Sequence, residues 1–294
     1  MLPFAAMSRS SQTVPVVRTS AARPGPVGLL AQAASDVWSR RRLIRYLVSA
    51  DLKKKGRDTI FGNIWWVLDP LLQMVVYVVL VSVIARVSKP DYPLFVFCAI
   101  LPWKWFSTAV NDGISSVTSR ERIIKQVQFP KIVLPVAATL AGVTQFAFGF
   151  IPLGALLVLF YADRISVWLV LIPVVAVVQL AFTMAFCLTV SALNVFFRDI
   201  SNLSIHALRM WFYMSPVLYG ASVINEISGS HPFITDVIRL NPFYSILTAY
   251  RALIYEGRAP DWIALGAILG ISLLFLLFGT WFFKKTEPMF AKVL

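Results

Sequence analysis

Residues 132–160 read IVLPVAATLAGVTQFAFGFIPLGALLVLF and contain no charged side chain. About 20 mostly apolar residues in a helix are enough to span the hydrocarbon core of a bilayer. This stretch is longer than that minimum, so its helix can tilt or project beyond the bilayer. It predicts a transmembrane helix, and the segments on either side of it follow the same pattern.

The composition of the whole chain agrees with a membrane protein. Hydrophobic residues make up 58% of the 294 positions and charged residues only 14%, whereas soluble domains carry about 25% charged residues. We therefore predict an all-α membrane protein. Its six transmembrane helices are predicted at residues 64–85, 93–111, 132–160, 167–193, 203–224 and 262–283.

The basic residues predict how these spans are oriented. With the N-terminus in the cytoplasm, the inside segments carry 19 Lys and Arg and the outside segments carry 6. Cytoplasmic loops are enriched in Lys and Arg, so both termini are predicted to be cytoplasmic and the chain to lie in the inner membrane. The formal charge of +13 follows from this pattern, and we do not interpret it as nucleic-acid binding.

Four regions are predicted along the chain. Residues 1–30 are rich in Ser, Ala, Pro and Arg without periodicity, which is typical of a disordered cytoplasmic tail. Residues 31–62 are predicted to hold a cytoplasmic amphipathic helix, residues 63–283 the six-span domain, and residues 284–294 a cytoplasmic C-terminal tail. No cleavable leader is recognised, because the first long apolar run starts near Ile64.

The amphipathic helix has an apolar side and a basic side. Its arginines are expected to meet anionic lipid head groups in the interfacial plane. A plain topogenic charge cluster is the alternative, and the two interpretations are compatible. The apolar side consists of Val37, Leu43, Ile44, Leu47 and Val48, and the basic cluster consists of Arg40, Arg41, Arg42 and Arg45.

A short helix is predicted before the last span. Asn241-Pro242 supplies an N-cap followed by proline at the first helical position. About 13 residues separate this cap from Glu256-Gly257, which is too short to cross a bilayer, and a seventh span would place Lys284 and Lys285 outside. We predict a re-entrant or interfacial helix, with apolar residues Phe243, Ile246, Leu247, Tyr250, Leu253 and Ile254 at helical spacing.

The cytoplasmic loop 113–131 is also predicted to contain a short helix, ended by Phe129-Pro130. Such a helix can act as a lever against a soluble partner, or it can be an ordinary charged connector. Its central residues are Arg120, Glu121, Arg122, Ile123, Ile124 and Lys125.

The chain contains no recognisable catalytic motif. A phosphate-binding loop of the form G-x-x-x-x-G-K-[ST] is absent, and the isolated His206, His231, Cys98 and Cys187 do not form a metal site. We predict no catalytic residue, no metal and no cofactor bound by this chain. The ionisable residues inside the predicted spans serve as anchors or line a polar cavity, and a proton relay is the alternative; they are Asp69, Lys104, His206 and Arg209.

Aromatic residues are concentrated in the first, second and fifth predicted spans. They can form an interfacial belt, or line a passage in which sugar faces stack on flat rings, and both interpretations stay open on sequence alone. They include Trp65, Trp66, Tyr77, Trp103, Trp105, Trp211, Phe212, Tyr213 and Tyr219.

From Trp38 to the C-terminus the chain resembles the membrane subunits of ABC-2 type exporters, in the group that exports polysaccharides and polyol phosphates, such as O-antigen, teichoic acid and galactan. Several stretches of sequence carry this resemblance, and any one of them alone is weak evidence for it. The stretches are GNIWW with DPL at 62–71, YPLF to LPW at 92–103, IIK with FPK and LP at 123–135, FRDI with SP and Tyr219 at 197–219, and Asn241-Pro242 with Tyr250-Arg251.

This resemblance implies roles that spacing alone does not assign. It implies a homodimer, two copies of a separate ATPase that carries ATP and Mg²⁺, and a lipid-linked polysaccharide as cargo. The segment Arg120–Gln128 would be the coupling helix that docks on the ATPase, and the helices in 225–256 would form an outer gate. Candidate glycan contacts in the channel would be Trp65, Tyr77, Trp211, Tyr213 and Tyr219.

Two alternatives remain. An ABC-2 permease for a small molecule or drug would share the fold and differ in cargo. A lipid-modifying enzyme or secondary transporter would need clustered ionisable residues in the membrane, and this chain offers few.

Overall fold

The computed structural model describes residues 25–57, 61–86, 89–230 and 232–294. Within these ranges the chain is helical and contains no strand. Most of the predicted N-terminal tail lies outside the described residues, and the first helix already begins at Pro26. The helices are α1 (Pro26–Ser39), α2 (Arg41–Gly56), α3 (Trp65–Val78), α4 (Tyr92–Ser115), α5 (Glu121–Gln126), α6 (Val133–Phe160), α7 (Ile172–Phe196), α8 (Asp199–Met214), α9 (Ala221–Ser230), α10 (Pro232–Leu240), α11 (Pro242–Ile254) and α12 (Trp262–Val293).

Five helical segments of the described chain are long and apolar enough to cross a membrane, and they coincide with five of the six predicted spans. The first consists of α3 with a short 3₁₀ turn before it and a π-helical stretch after it. The five segments are Gly62–Ile84, Tyr92–Ser115, Val133–Phe160, Val167–Phe196 and Trp262–Val293.

The prediction of one continuous span at 203–224 is wrong. The helix α8 starts earlier, at Asp199, and ends at Met214. Its end has a local cause: Pro216 disfavours helical backbone at the preceding residue, and Ser215 is extended, with φ −91° and ψ 146°. With 16 residues, α8 is about 24 Å long, shorter than the hydrocarbon core of about 30 Å.

The core of the protein is built around α4. This helix is buried along most of its length and packs against α3, α6, α7, α8 and α11. Its Trp103 and Phe106 contact Trp211 of α8 and Phe243 of α11, with ring centroids 4.5–6.2 Å apart. Offset and edge-on ring contacts of this kind favour a fixed arrangement beyond their burial alone. The aromatic cluster therefore fixes α8 and α11 against α4.

One end of the helical bundle, which we call the terminal face, contains both ends of the described chain. On it, Lys284 of α12 forms an ion pair with Asp36 of α1 at 2.8 Å. The backbone N–H of Lys131, after α5, donates to Glu287 of α12 at 2.5 Å. The terminal face thus comprises α1, α2, residues 115–131 and the last turns of α12.

The other end of the bundle, the opposite face, contains the remaining connections. Arg164, after α6, pairs with Asp91 before α4 at 2.6 Å and donates to the carbonyl of Tyr255 at 3.3 Å. The hydroxyl of Tyr255 donates to the carbonyl of Pro90 at 2.8 Å. These contacts join residues 89–92, 160–167 and 255 in one layer.

The predicted amphipathic helix of 31–62 is two helices, α1 and α2, separated at Arg40, where the backbone leaves the helical region. Its apolar side packs against the protein, with α2 on α6 and α1 on α12. Ile44 and Ala33 are buried in the core of the terminal face. Because this side is covered by protein, the segment is a packed layer of the fold.

The short helices α9, α10 and α11 lie between α8 and α12. The predicted start of α11 is confirmed, since the Asn241 side chain accepts a hydrogen bond from the N–H of Phe243 at 3.0 Å and Pro242 occupies the first turn. All six predicted apolar residues of α11 are buried. This helix is therefore a core element, packed against α4, α7 and α12.

Arg251 of α11 organises the turn that follows α8. Its side chain is buried, lies over the Phe95 ring at 3.7 Å, and donates to the carbonyls of Pro216 at 2.5 Å, Val217 at 2.6 Å and Tyr219 at 3.1 Å. A buried charge is costly unless it is fully hydrogen-bonded, so this cage of carbonyls holds residues 215–220 in one conformation.

Replacing Arg251 with lysine is expected to lower the free energy of unfolding by about 2–4 kcal/mol, because one ammonium cannot satisfy carbonyls arranged for a planar guanidinium. Thermal unfolding of the purified protein measures this, with Arg258→Lys as control, since Arg258 is exposed. Equal unfolding temperatures for the two variants would contradict the assigned role.

Candidate functional site

The predicted coupling segment is a 3₁₀ turn, Thr118–Arg120, followed by the six-residue helix α5. It projects at the terminal face, and its predicted contact residues divide by exposure. Ile124 is buried, whereas Arg122 is exposed and Ile123 is 50% exposed. Val127, just after the helix, is similarly exposed. We call Arg122, Ile123 and Val127 the exposed ridge.

Arg120 does not belong to this ridge. Its guanidinium pairs with Asp51 of α2 at 2.7 Å and donates to the carbonyl of Ser116 at 3.2 Å. The side chains of Arg120 and Asp51 are only 20% and 24% exposed. Arg120 therefore joins the start of the segment to α2.

Glu121 and Lys125 form an ion pair along α5, with Nζ and Oε1 2.6 Å apart. The hydrogen bond from Lys125, together with its charge, lowers the pKa of the Glu121 carboxyl. Lys125 also donates to the carbonyl oxygen of the C-terminal Leu294 at 2.8 Å. The end of the chain is thus attached to α5.

Glu287 makes a third connection, which the sequence analysis did not identify. One carboxylate oxygen accepts the N–H of Lys131 and the other accepts from Lys284. Lys284 and Glu287 are both more than nine-tenths buried. The sequence signal was their i,i+3 spacing near the end of α12. Together with Arg120, Glu287 links the segment 115–131 to both α2 and α12.

The basic cluster Arg40, Arg41, Arg42 and Arg45 is exposed on the terminal face. Arg41 lies over the ring of Trp38 at 5.4 Å. Trp38 and Tyr46 are 73% and 70% exposed. Arginine interleaved with exposed Trp and Tyr is typical of a surface at the level of lipid head groups.

The five candidate glycan contacts are not equivalent. Trp211 is part of the aromatic core, and its indole N–H donates to Asn241 at 2.9 Å. The hydroxyl of Tyr219 donates to the carbonyl of Met214 at 3.2 Å and so closes the end of α8. Tyr77 stacks on Phe212, with ring centroids 5.5 Å apart. Only Trp65 and Tyr213 are exposed.

The helix α8 presents a polar stripe that the sequence analysis recognised only in part. Asn202, His206, Arg209 and Tyr213 are all exposed and lie on one side of the helix, at spacings of four, three and four residues. Phe212 and Leu208, on the inner side, are buried. Polar side chains inside the membrane normally face protein or water, so this stripe is unsuited to a lipid-facing surface.

Asp69 and Lys104, the other two ionisable residues of the predicted spans, form an ion pair between α3 and α4.

On the opposite face, Lys89 has a lowered pKa of about 8. The main cause is burial of its ammonium, and the second is the nearby charge of Arg251. Among the described residues no group of three potential metal ligands is present. The candidate functional features of the described chain are therefore two exposed surfaces, the exposed ridge and the basic cluster, and the polar stripe of α8.

Proteins with known roles resemble this chain over most of its length. It is 35% identical to the O-antigen export system permease protein RfbA of Myxococcus xanthus over 257 residues, which cover 87% of this chain and 97% of that protein. Two proteins of the same name from Klebsiella pneumoniae are 29% and 28% identical over 254 residues, covering 86% of this chain and 95% of each relative. No protein-family model matches the chain.

The Arg120–Asp51 pair is testable by a double-mutant cycle. Arg120→Ala and Asp51→Ala should each lower the free energy of unfolding by about 1 kcal/mol. The double variant should lose no more than Arg120→Ala alone, because Asp51→Ala removes an interaction that is already lost in Arg120→Ala. Arg122→Ala combined with Asp51→Ala serves as control and should be additive. Additivity for the Arg120 pair in thermal unfolding would contradict the assignment.

Proposed function

The chain belongs to the O-antigen export permeases of the ABC-2 type, and from that premise we propose that it is the membrane-spanning subunit of an exporter that carries a lipid-linked polysaccharide across the inner membrane. The observation that carries this proposal is the 35% identity over 97% of the Myxococcus protein. The chain supplies the passage, and a separate ATPase subunit supplies the energy from ATP and Mg²⁺.

In this proposal the chain crosses the membrane six times, with α8 as the fifth crossing. Support comes from its two ends. Before α8, the Asn194 amide donates to the carbonyl of Ile114 at the terminal face, at 3.0 Å. After α8, the carbonyls of Pro216, Val217 and Tyr219 accept hydrogen bonds from Arg251, which also donates to the carbonyl of Phe95 near the opposite face. A helix shorter than the bilayer is accommodated by local thinning of the bilayer.

An even number of crossings places both termini on the same side, in agreement with the Asp36–Lys284 contact. The excess of Lys and Arg in the segments of the terminal face supports a cytoplasmic location for that side. We therefore propose that the exposed ridge and the basic cluster are cytoplasmic.

We further propose that two copies of the chain enclose the passage. The support is the polar stripe of α8, which is exposed in a single chain. If the stripe faces a water-filled channel between two copies of the chain, Arg209 and His206 are in contact with water and the cost of placing them against lipid is removed. Tyr213 then becomes a channel residue, and Tyr77 lies beside it through its stacking on Phe212. Trp211 acts in packing instead.

The proposed coupling to the ATPase follows from the contacts of the segment 115–131. The exposed ridge docks on the ATPase through an apolar centre, Ile123 and Val127, and a cationic flank, Arg122. Movement of the ridge is then transmitted to α2 through Arg120 and Asp51, and to α12 through Glu287. The basic cluster attracts the phosphate groups of the lipid-linked cargo at the cytoplasmic surface.

Changing Ile123 to aspartate, or Arg122 to glutamate, is expected to lower export at least tenfold and to reduce the amount of ATPase that co-purifies, because a charge is placed in a docking surface. The measurement is the accumulation of cytoplasmic lipid-linked glycan in cells that depend on the variant.

The control is Arg258→Glu, an equally drastic charge change on the opposite face, which should leave export unchanged. Normal export and normal co-purification for both ridge variants would contradict the proposed coupling surface. Loss of co-purification without glycan accumulation would contradict the proposed cargo and leave the docking surface supported.

A further inference from the structure

A cavity of about 180 Å³ lies between α3, α4 and α6. It is bordered by Lys55 of α2 toward the terminal face and reaches Lys104 near the middle of α4. Two of its lining residues, Asp69 and Trp65, are 57% and 41% exposed, so the cavity opens to the surface of the chain.

Two hydrogen-bond donors in this cavity have no partner in the protein. The indole nitrogen of Trp105 is inaccessible and makes no hydrogen bond, and its side chain is nearly fully buried. The amide nitrogen of Gln145, which lines the same cavity, is also buried and unpaired. Leaving a buried donor unpaired costs about 1–3 kcal/mol. Both atoms are donors, so the missing partner is an acceptor.

The backbone of α6 makes room for these groups. A Cβ at Gly142 would lie 2.9 Å from Trp105 Cδ1 and 3.1 Å from its nitrogen, and a Cβ at Gly149 would lie 2.6 Å from Leu101 Cδ2. These two glycines are seven residues apart and therefore lie on one side of the helix. Larger residues at either position would displace the cavity wall.

The two lysines at the cavity supply further hydrogen-bond donors, although the carboxylates paired with them balance their charge. Lys104 is paired with Asp69, and Lys55 is paired at 2.5 Å with Asp112, which lies outside the lining. An ammonium has three N–H donors, so each lysine can bind a further oxygen. Lys104, Trp105 and Gln145 together supply one cationic and two neutral donors.

The setting of the cavity indicates a lipid. The cavity opens on the outside of the chain beside Trp65 and Trp66, whose amphipathic rings suit contact with lipid. Apolar side chains continue from it along the surfaces of the two flanking helices: Leu72 of α3 and Ile151 of α6 are 49% and 59% exposed. An acyl or prenyl chain can lie on this surface while its head group enters the cavity.

We propose that this cavity binds the phosphate group of a membrane lipid. The phosphate oxygens accept from the indole of Trp105, the amide of Gln145 and the ammonium of Lys104, and the lipid chains lie along α3 and α6. The lipid is either an ordinary phospholipid or a polyprenyl phosphate carrier. The site does not need a particular polymer. With a phospholipid it goes beyond the proposed export function, and with the carrier lipid it deepens that function and rests on it.

Native mass spectrometry of the full chain with its ATPase tests this, using the delipidated complex incubated with phosphatidylglycerol or with diacylglycerol of the same acyl chains. At least tenfold more phosphatidylglycerol should be retained. Gln145→Met and Trp105→Phe each remove one donor and should lower its retention about tenfold, a factor that corresponds to the loss of one hydrogen bond to a charged group.

The control is Gln73→Met, since Gln73 lies on α3 outside the cavity lining, with its amide on the Tyr77 hydroxyl at 3.4 Å. It should leave retention unchanged. In the lipid-free complex, Gln145→Met should not lower the unfolding temperature, because it removes a donor that has no partner there. This separates loss of binding from loss of folding.

Equal retention of the two lipids, or retention unaffected by both cavity variants, would overturn the proposal and leave a cavity filled with water. If polyprenyl phosphate displaces phosphatidylglycerol at equal concentration, the site takes the carrier lipid. If it does not, the site takes phospholipid. Both of these results support a phosphate site.

Discussion

The arrangement of the two ends of the described chain depends on one buried ammonium. Lys284 is held by Asp36 of the first helix and Glu287 of the last, and removal of one partner from such a buried pair costs about 3–5 kcal/mol. This requirement keeps the two ends of the described chain at one face of the bundle. Because Glu287 also accepts the N–H of Lys131, the same cluster fixes the loop after α5.

The structure combines a rigid centre with surfaces left for other molecules. The aromatic cluster around Trp103 and Phe106 fixes α4, α8 and α11 together. In contrast, α3 and α8 keep much of their outer surface uncovered. On α8 that surface is polar at Asn202, His206 and Arg209, and the exposed ridge projects from the terminal face. This distribution agrees with the proposal that a second copy and an ATPase cover surfaces that a single chain exposes.

The long helices were predictable from the sequence, because a run such as 132–160 is apolar throughout and no tertiary information is needed to recognise it. The cap at Asn241 was predictable for a similar local reason. The end of α8 at Met214 was missed because the apolar run continues beyond it, although Ser215-Pro216 carried the local signal. In contrast, Arg251, Arg120 and Glu287 bind residues that are distant in sequence. The periodicity of apolar residues gives no information about such long-range contacts, so they could not be predicted. Likewise, Trp211 and Tyr213 are both aromatic residues of α8. Only their difference in burial, which the sequence does not show, distinguishes the packing residue Trp211 from the exposed candidate contact Tyr213.

The central claim is that both ends of the chain lie on the cytoplasmic side, which requires an even number of crossings. Single cysteines at Ser39, Lys292 and Asp163, in a chain lacking Cys98 and Cys187, test it with a membrane-impermeant thiol reagent applied to intact cells and to inverted vesicles. The account predicts labelling of positions 39 and 292 only in inverted vesicles and of position 163 only in intact cells. Labelling of positions 39 and 292 from different sides of the membrane would contradict it.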